Sequence, residues 1–306
     1  MQKVRTIFAG TSSFAVPILE KLTKLEYIDI VAIITQPDAT TGRHHSKVSQ
    51  SRVKEFATRN NITTILQPKK LKLETDEIIA KYDPELLVVA SYGQIIPEKL
   101  LDYPKYGALN IHGSLLPKLR GAVPVPMAIL NGYKETGVTI QKMVKKLDAG
   151  DIIASSSIEI DGENSEELLD KLATIGAELL EENLLGWLKG EKIAKAQNED
   201  EATFCNQEDL STDKAEIMKD TDINLAERMI RAFYPDPGAW IMLSNGKRLK
   251  IFKSEIYDDQ SGEVFKISRE GKKLLLNLKN GRLELQEVQL EGKKRDQAIN
   301  YLYLAE

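Results

Sequence analysis

Two polar residues interrupt an apolar strand pattern at residues 108–112, where Asn110 and His112 alternate with Leu109 and Ile111. Strand side chains alternate between faces, so the amide and the imidazole are expected to project side by side. An asparagine N–H can stabilise an oxyanion, and a histidine can exchange a proton near neutral pH. A third group, Asp148, lies in the turn Lys146-Leu-Asp-Ala-Gly-Asp-Ile152. An aspartate there can hold the imidazole, or its water, in place. No serine sits in a nucleophile-elbow motif, and the single cysteine, Cys205, excludes an intramolecular disulfide or a cysteine-based metal cluster. The trio suits acyl transfer from a bound donor directly to an incoming amine, with no covalent enzyme intermediate. Taken singly, each residue also has a plainer reading, as a hydrogen-bonded histidine at a strand end or an Asx-turn aspartate.

The elements that must position these groups follow an α/β order. Val4 to Ala9 forms an apolar strand ending at Gly10-Thr-Ser-Ser13, and Phe14, Ile18, Leu19, Leu22 and Leu25 continue at helical spacing. Ser12 or Ser13 is the expected cap of that helix. The turn carries one glycine, so the dinucleotide-binding fingerprint is absent. Continuously apolar strands at 28–35 and 86–90 indicate a doubly wound, mostly parallel sheet covered on both faces. Helices are expected at 52–59 and 74–81, with a short strand at 64–66 between them. Such folds place ligands at the carboxyl edge, so the turn from Ser91 to Pro97 should share a rim with Asn110 and His112. Strands at 136–144 and 152–160 and a long amphipathic helix at 165–189 complete a first domain, 1–189. Residues 36–52 form a long polar loop holding Arg43, His44, His45, Lys47 and Arg52 with one acidic residue, Asp38. Loops of this length tend to be functional or disordered, and this one reads as a solvated surface or a basic arm for phosphate.

At 306 residues the chain has room for more than one domain, and a net charge of −4 argues against a wholesale nucleic-acid coat but not against a local basic site. No apolar run approaches the ~18 residues of a membrane span, and no signal-peptide core follows the N-terminus, so a soluble, cytoplasmic protein is expected. Residues 190–209 are polar and read as a linker. From 210 to 306, a helix at 224–232 precedes short alternating strands at 239–243, 248–254, 264–267, 273–278 and 283–289, with Asn-Gly turns at 245–246 and 280–281. This pattern predicts a small C-terminal β-barrel of the OB-like kind. Its 17 Lys+Arg against 16 Asp+Glu make it the less acidic part, with basic clusters that include Lys247 and Arg248.

Asn110-Ile-His-Gly-Ser-Leu-Leu-Pro117 together with Leu147-Asp-Ala-Gly-Asp151 resembles the signature of the folate-dependent formyltransferases. Phe8-Ala-Gly-Thr11, Thr35-Gln-Pro-Asp38 with Gly42-Arg43, Ser91-Tyr-Gly93 and Arg231-Ala-Phe-Tyr-Pro-Asp-Pro-Gly-Ala-Trp240 narrow the resemblance, over nearly the full length, to the methionyl-tRNA formyltransferase family. The tail Leu290-Glu-Gly-Lys-Lys-Arg295 belongs to the same pattern. The resemblance implies that Asn110, His112 and Asp148 are catalytic. It assigns Ser91, Tyr92, Gly93, Gln94, Ile95 and Ile96, with Ser114, Leu115, Leu116 and Pro117, to 10-formyltetrahydrofolate, the formyl donor, and calls for no metal. Arg43, His44, Lys47 and Arg52 would enter the acceptor stem of initiator methionyl-tRNA, and the barrel, with Lys247 and Arg248, would hold the rest of that stem. A monomer is expected. The chain departs from the family at Leu119, commonly aromatic, at Val123-Pro-Val-Pro126, commonly Ala-Pro-Ile-Gln, at His44-His45-Ser-Lys-Val48, commonly lysine-rich, and at Gln207, usually lysine. An amino sugar nucleotide is the alternative acceptor, and a non-catalytic RNA-binding protein the reading from another class. Replacing Arg43 by Ala is expected to weaken tRNA use and to lower the slope of log K against log salt by about one phosphate contact. Binding titrations over a salt series measure this, and an unchanged slope would remove the loop from the interface.

Overall fold

The computed structural model describes residues 2–41, 47–260 and 263–305, with the side chains at 40, 41 and 47 outside the described set. The chain forms two compact units, one of Met1–Gly121, Thr136–Ile158 and Leu169–Phe204, the other of Ala122–Glu135, Glu159–Leu168 and Cys205–Glu306.

The first unit is built on a seven-stranded sheet. Edge to edge its strands are Ile152–Glu159, Glu135–Lys142, Ala108–His112, Leu86–Ala90, Val4–Gly10, Ile28–Ile34 and Ile65–Leu66. The five strands from 108–112 to 65–66 pair in parallel. Parallel strands are covered on both faces and must be apolar throughout. Ile7, Phe8, Ala9, Ala32, Ile33, Leu86, Leu87 and Val88 accordingly have no exposed surface. Strand order reverses between Val4–Gly10 and Leu86–Ala90, the kind of switch point at whose carboxyl ends open α/β sheets take their ligands. There Thr11 N–H donates to the Ser91 carbonyl at 3.1 Å and the Ser12 hydroxyl to the Ser91 hydroxyl at 2.8 Å. The expected serine cap is therefore corrected. The helix Ala15–Lys24 starts from backbone turns onto the Ser12 and Ser13 carbonyls, and Ser12 is spent on the neighbouring turn.

Glu135–Lys142 runs antiparallel to Ala108–His112, with Asn110 opposite Gln141 and His112 opposite Thr139. Opposed residues of an antiparallel pair share a face. Four polar side chains are thus gathered on one side of two adjacent strands. The helix Arg52–Arg59 occupies the expected residues, with Ser51 accepting from Lys54 N–H at 3.0 Å as its cap. Within the polar loop, Ala39–Thr41 and Lys47–Ser49 pair antiparallel. Asp38, at its base, accepts from Lys54 Nζ at 2.6 Å and Gln67 Nε2 at 2.8 Å. Arg43 and His44 lie outside the described residues.

In the second unit the helix Ile223–Ala232 packs on an antiparallel sheet, in the order Ala239–Met242, Arg248–Asp258, Gly281–Leu290, Lys273–Leu278, Ile267–Glu270, with Asp296–Gln297 paired to Gly281–Leu290. Ile230, Phe233, Trp240, Leu249, Leu276 and Leu285 belong to its core. Gly246 holds φ 77° in the expected turn, a conformation glycine adopts without strain. The third strand begins at Ile267, three residues later than the pattern suggests. The helix Pro124–Leu130 was not apparent, because Pro124 reads as a breaker yet is tolerated at a helix's first turn. Asn164 caps the helix Ser165–Leu188, accepting from Glu166 and Glu167 N–H at 3.0 Å each while Glu167 accepts from Asn164 N–H. Among the described residues no helix is long and apolar enough to cross a membrane.

Gly137 is a point of close approach in the site's scaffold, since a Cβ there would lie 2.1 Å from the Ser156 carbonyl and 2.6 Å from Leu115 Cδ2. Gly137→Ala is expected to destabilise the chain by about 1–3 kcal/mol or more through overpacking between strands. Urea unfolding checks this, and an unshifted midpoint would show that the strand pair can open.

Candidate active site

The Asp148 carboxylate is the meeting point of the polar face. Its Oδ1 accepts from Gln141 Nε2 at 2.8 Å and from Asn110 Nδ2 at 3.3 Å, and its Oδ2 accepts from Gly121 N–H at 2.8 Å. Every partner donates, which matches an acceptor-only, ionised carboxylate. Gln141, fully buried, uses its other end to accept from Gly150 N–H at 3.2 Å, so one side chain spans the turn. Asp148 itself holds φ 46°, a left-handed conformation that aspartate tolerates better than most residues. Gly150 is obligatory, because a Cβ would meet the Lys142 carbonyl oxygen at 1.7 Å.

His112, 6% exposed, places Nε2 2.9 Å from the Leu119 carbonyl. A carbonyl only accepts, so Nε2 carries the hydrogen and the lone pair of the neutral ring sits on Nδ1. Nδ1 is 3.7 Å from Asp148 Oδ2, too far for a hydrogen bond but close enough to stabilise an imidazolium. Leu119 is fixed at both ends, since its N–H donates to the Thr203 hydroxyl at 2.8 Å and its φ of 56° turns the carbonyl toward the ring. The Ser114 carbonyl accepts from Thr139 Oγ1 at 2.7 Å, which in turn accepts from Leu116 N–H at 3.1 Å. The Ser114 hydroxyl is buried and donates to the Lys118 carbonyl at 2.6 Å. Gln141 and Thr139 escaped sequence reasoning, although polar residues alternating within an apolar strand were a usable signal.

The stretch read as a linker supplies a second layer. Gln197 Nε2 donates to the Asp148 and Gly150 carbonyls at 2.9 and 2.7 Å, and its Oε1 accepts from Arg120 Nη2 at 2.8 Å and Nε at 3.1 Å. Arg120 is fully buried and pairs with both oxygens of Glu199, at 2.8 and 3.1 Å. Lys195 and Ile152 exchange two backbone hydrogen bonds at 2.7 and 2.8 Å.

The residues expected to meet the folate are differently disposed. Ile95 is 91% exposed, Leu115 and Pro117 are half-buried, and Leu116 and Ile96 are buried. Gln94 turns inward, accepting from Leu71 N–H at 2.9 Å and donating to the Pro68 carbonyl at 2.9 Å. Tyr92 packs into the core of the first unit, and burial pushes its hydroxyl up to about 12. Gly93 approaches Gln36, and Ser91 is exposed. Of these residues Ile95 offers exposed apolar surface, and Leu115 and Pro117 part of theirs. Of the cationic residues, Arg52 is exposed beside Glu55, while Lys247 and Arg248 are exposed, with the Arg248 guanidinium 4.5 Å from the centre of the Trp240 ring. Other members of the basic clusters are engaged internally: Lys250 donates to the Pro237 carbonyl, Lys273 pairs with Glu284 at 2.6 Å and Arg295 with Glu287 at 2.6 Å.

Comparison with known proteins gives a family model described as formyl transferase matching residues 2–184, and one described as formyl transferase, C-terminal domain, matching 210–303. The methionyl-tRNA formyltransferase of Lactobacillus gasseri is 40% identical over 301 residues, covering 97% of this chain and 94% of that protein. The N-formyltransferase of Helicobacter canadensis, solved with folinic acid and dTDP-3-aminofucose, superposes with a TM-score of 0.69 at 19% identity, over 92% of this chain and 99% of that one. HypX of Aquifex aeolicus, solved with tetrahydrofolic acid, superposes with a TM-score of 0.69 at 15% identity over 98% of this chain, which spans 47% of that longer one. The two structures share the fold.

The hydrogen bonds from Arg120 and Lys146 hold the Glu199 carboxyl at about 2, below its ordinary 4.5. A depressed value means that ionised Glu199 favours the folded state, fully above pH 4.5 and progressively less as pH falls toward 2. Glu199→Gln is therefore expected to flatten the pH dependence of stability in that window. Urea midpoints collected across it measure the effect, and parallel curves for the two proteins would show the pair to be screened.

Proposed function

The chain belongs to the methionyl-tRNA formyltransferase family, and from that premise we propose that it transfers the formyl group of 10-formyltetrahydrofolate to the free amine of methionyl-initiator tRNA in the cytoplasm, at the start of translation. The observation that carries the proposal is the convergence of an Asn110 amide, a His112 Nδ1 lone pair and the Asp148 carboxylate at the carboxyl edge of the sheet. The donor supplies a formyl carbon already bonded to nitrogen, and the rim of Ile95, Leu115 and Pro117 with the 91–96 backbone would receive its rings.

Asn110 has two amide hydrogens, one directed at Asp148, the other available to the formyl oxygen as negative charge develops there. His112 Nδ1 accepts the proton that the amine loses as its nitrogen bonds to the formyl carbon. Asp148 steadies the resulting imidazolium, and His112 returns the proton to the donor nitrogen as the old carbon–nitrogen bond breaks. Atoms and charge balance without a further reactant. Lys247, Arg248 and Arg52, with Arg43, His44 and Lys47, would take phosphates of the acceptor stem.

The test is formyl transfer from 10-formyltetrahydrofolate to methionyl-initiator tRNA, with an amino sugar nucleotide as parallel acceptor. Transfer to the sugar alone would overturn the acceptor, and transfer to neither would overturn the activity. His112→Ala is expected to lower kcat by about 10²–10⁴-fold with tRNA affinity retained, in line with loss of a general acid–base group. A variant with unchanged kcat would remove His112 from the proton path.

A further inference from the structure

We propose that Gln197 is a positioning residue for Asp148, and that the 195–203 segment is a polar strap that sets the catalytic turn from behind. The inference rests on the reading of Asp148 as a catalytic group. Gln197 spends both amide hydrogens on consecutive features of one turn, the Asp148 and Gly150 carbonyls, and its oxygen on Arg120. The orientation of the amide follows from its partners, since carbonyls only accept and a guanidinium only donates.

The turn has reason to need such a hold. Asp148 sits at φ 46° and the backbone at Gly150 lies against Lys142 too closely for any side chain. Backbone in a sparsely populated region persists when its surroundings over-determine it. Gln141 fixes the turn through the Asp148 carboxylate, and Gln197 fixes it through the carbonyls. Residues 120–121 tie the carboxylate side of the turn to the carbonyl side. Gly121 N–H donates to the Asp148 carboxylate, while the side chain of its neighbour Arg120 holds Gln197. The circuit from Asp148 through Gly121, Arg120 and Gln197 back to Asp148 is closed. Glu199 on Arg120, the Lys195–Ile152 pair and Thr203 on Leu119 keep the strap seated. Because Thr203 also holds the residue whose carbonyl orients His112, a single stretch of chain sets two members of the trio.

The strap is tested in the full chain with Gln197→Met, which keeps length and removes both donors and the acceptor. Gln197→Glu is the companion variant, keeping a partner for Arg120 but turning an acceptor onto two carbonyls. Both are expected to lower kcat roughly 10²-fold, the scale of a displacement of ~1 Å at a catalytic group, with KM for methionyl-tRNA unchanged. In an Asp148→Asn background, Gln197→Met should add no further loss. The nuclear magnetic resonance titration of the His112 ring, for which Asp148 is the ion-pair partner among the described residues, should move in Gln197→Met in the same direction as in Asp148→Asn. Wild-type kcat in both Gln197 variants, losses that add to those of Asp148→Asn, or an unmoved His112 midpoint where Asp148→Asn moves it would each overturn the strap. Full turnover in Asp148→Asn would instead overturn the catalytic assignment, and the His112 titration would still decide whether Gln197 positions the carboxylate.

Discussion

A carboxylate withdrawn from water must be met by donors, and the first unit is arranged around meeting this one. Burying an ionised group without partners costs several kcal/mol, so its hydrogen bonds are obligations of the fold. Asp148 draws its three from a parallel strand, from the antiparallel strand beside it and from the end of an irregular excursion. None of these elements can shift without stranding a charge. One of those donors, Asn110, is also the amide proposed above for the formyl oxygen, so on that reading the stability of the site and its chemistry share one arrangement.

Register carries the information. With Asn110 opposite Gln141 and His112 opposite Thr139, the antiparallel pair puts all four polar side chains on one face. A slip by one residue would set Asn110 against Ile140 and turn the polar group of one strand away from that of the other. The parallel strands fix the carboxyl-edge rim, and their antiparallel neighbour brings Gln141 and Thr139 beside Asn110 and His112. Gly137 and Gly150 admit the backbone approaches that let this neighbour and its turn pack so closely.

Much of this was legible in the chain. Asn110 and His112 stood out because alternation on a strand is a strict rule, and Arg52–Arg59 and Leu86–Ala90 matched residue for residue because apolar periodicity records burial directly. Arg120, Gln197, Glu199 and Thr203 were not legible. They act through hydrogen bonds between segments about 80 residues apart, which leave no period in the sequence. A polar stretch that clamps carbonyls and a guanidinium has the composition of one that merely meets water, so 190–209 read as a linker. Linear reading likewise could not display that 122–135 and 159–168 pack with the C-terminal unit, because compactness in space has no counterpart in order along the chain.

At Leu119 the work is done by backbone atoms that every amino acid except proline possesses. Its amide and carbonyl are the contacts that reach Thr203 and His112, while its side chain only fills interior space. At this position the hydrogen bonds therefore depend on shape and on tolerance of a left-handed backbone more than on side-chain functional groups. Exchange of this leucine for a larger apolar side chain would, on this account, be a change of filling inside the same socket. The neighbouring wall could adjust to it while the Leu119 carbonyl keeps the orientation of His112.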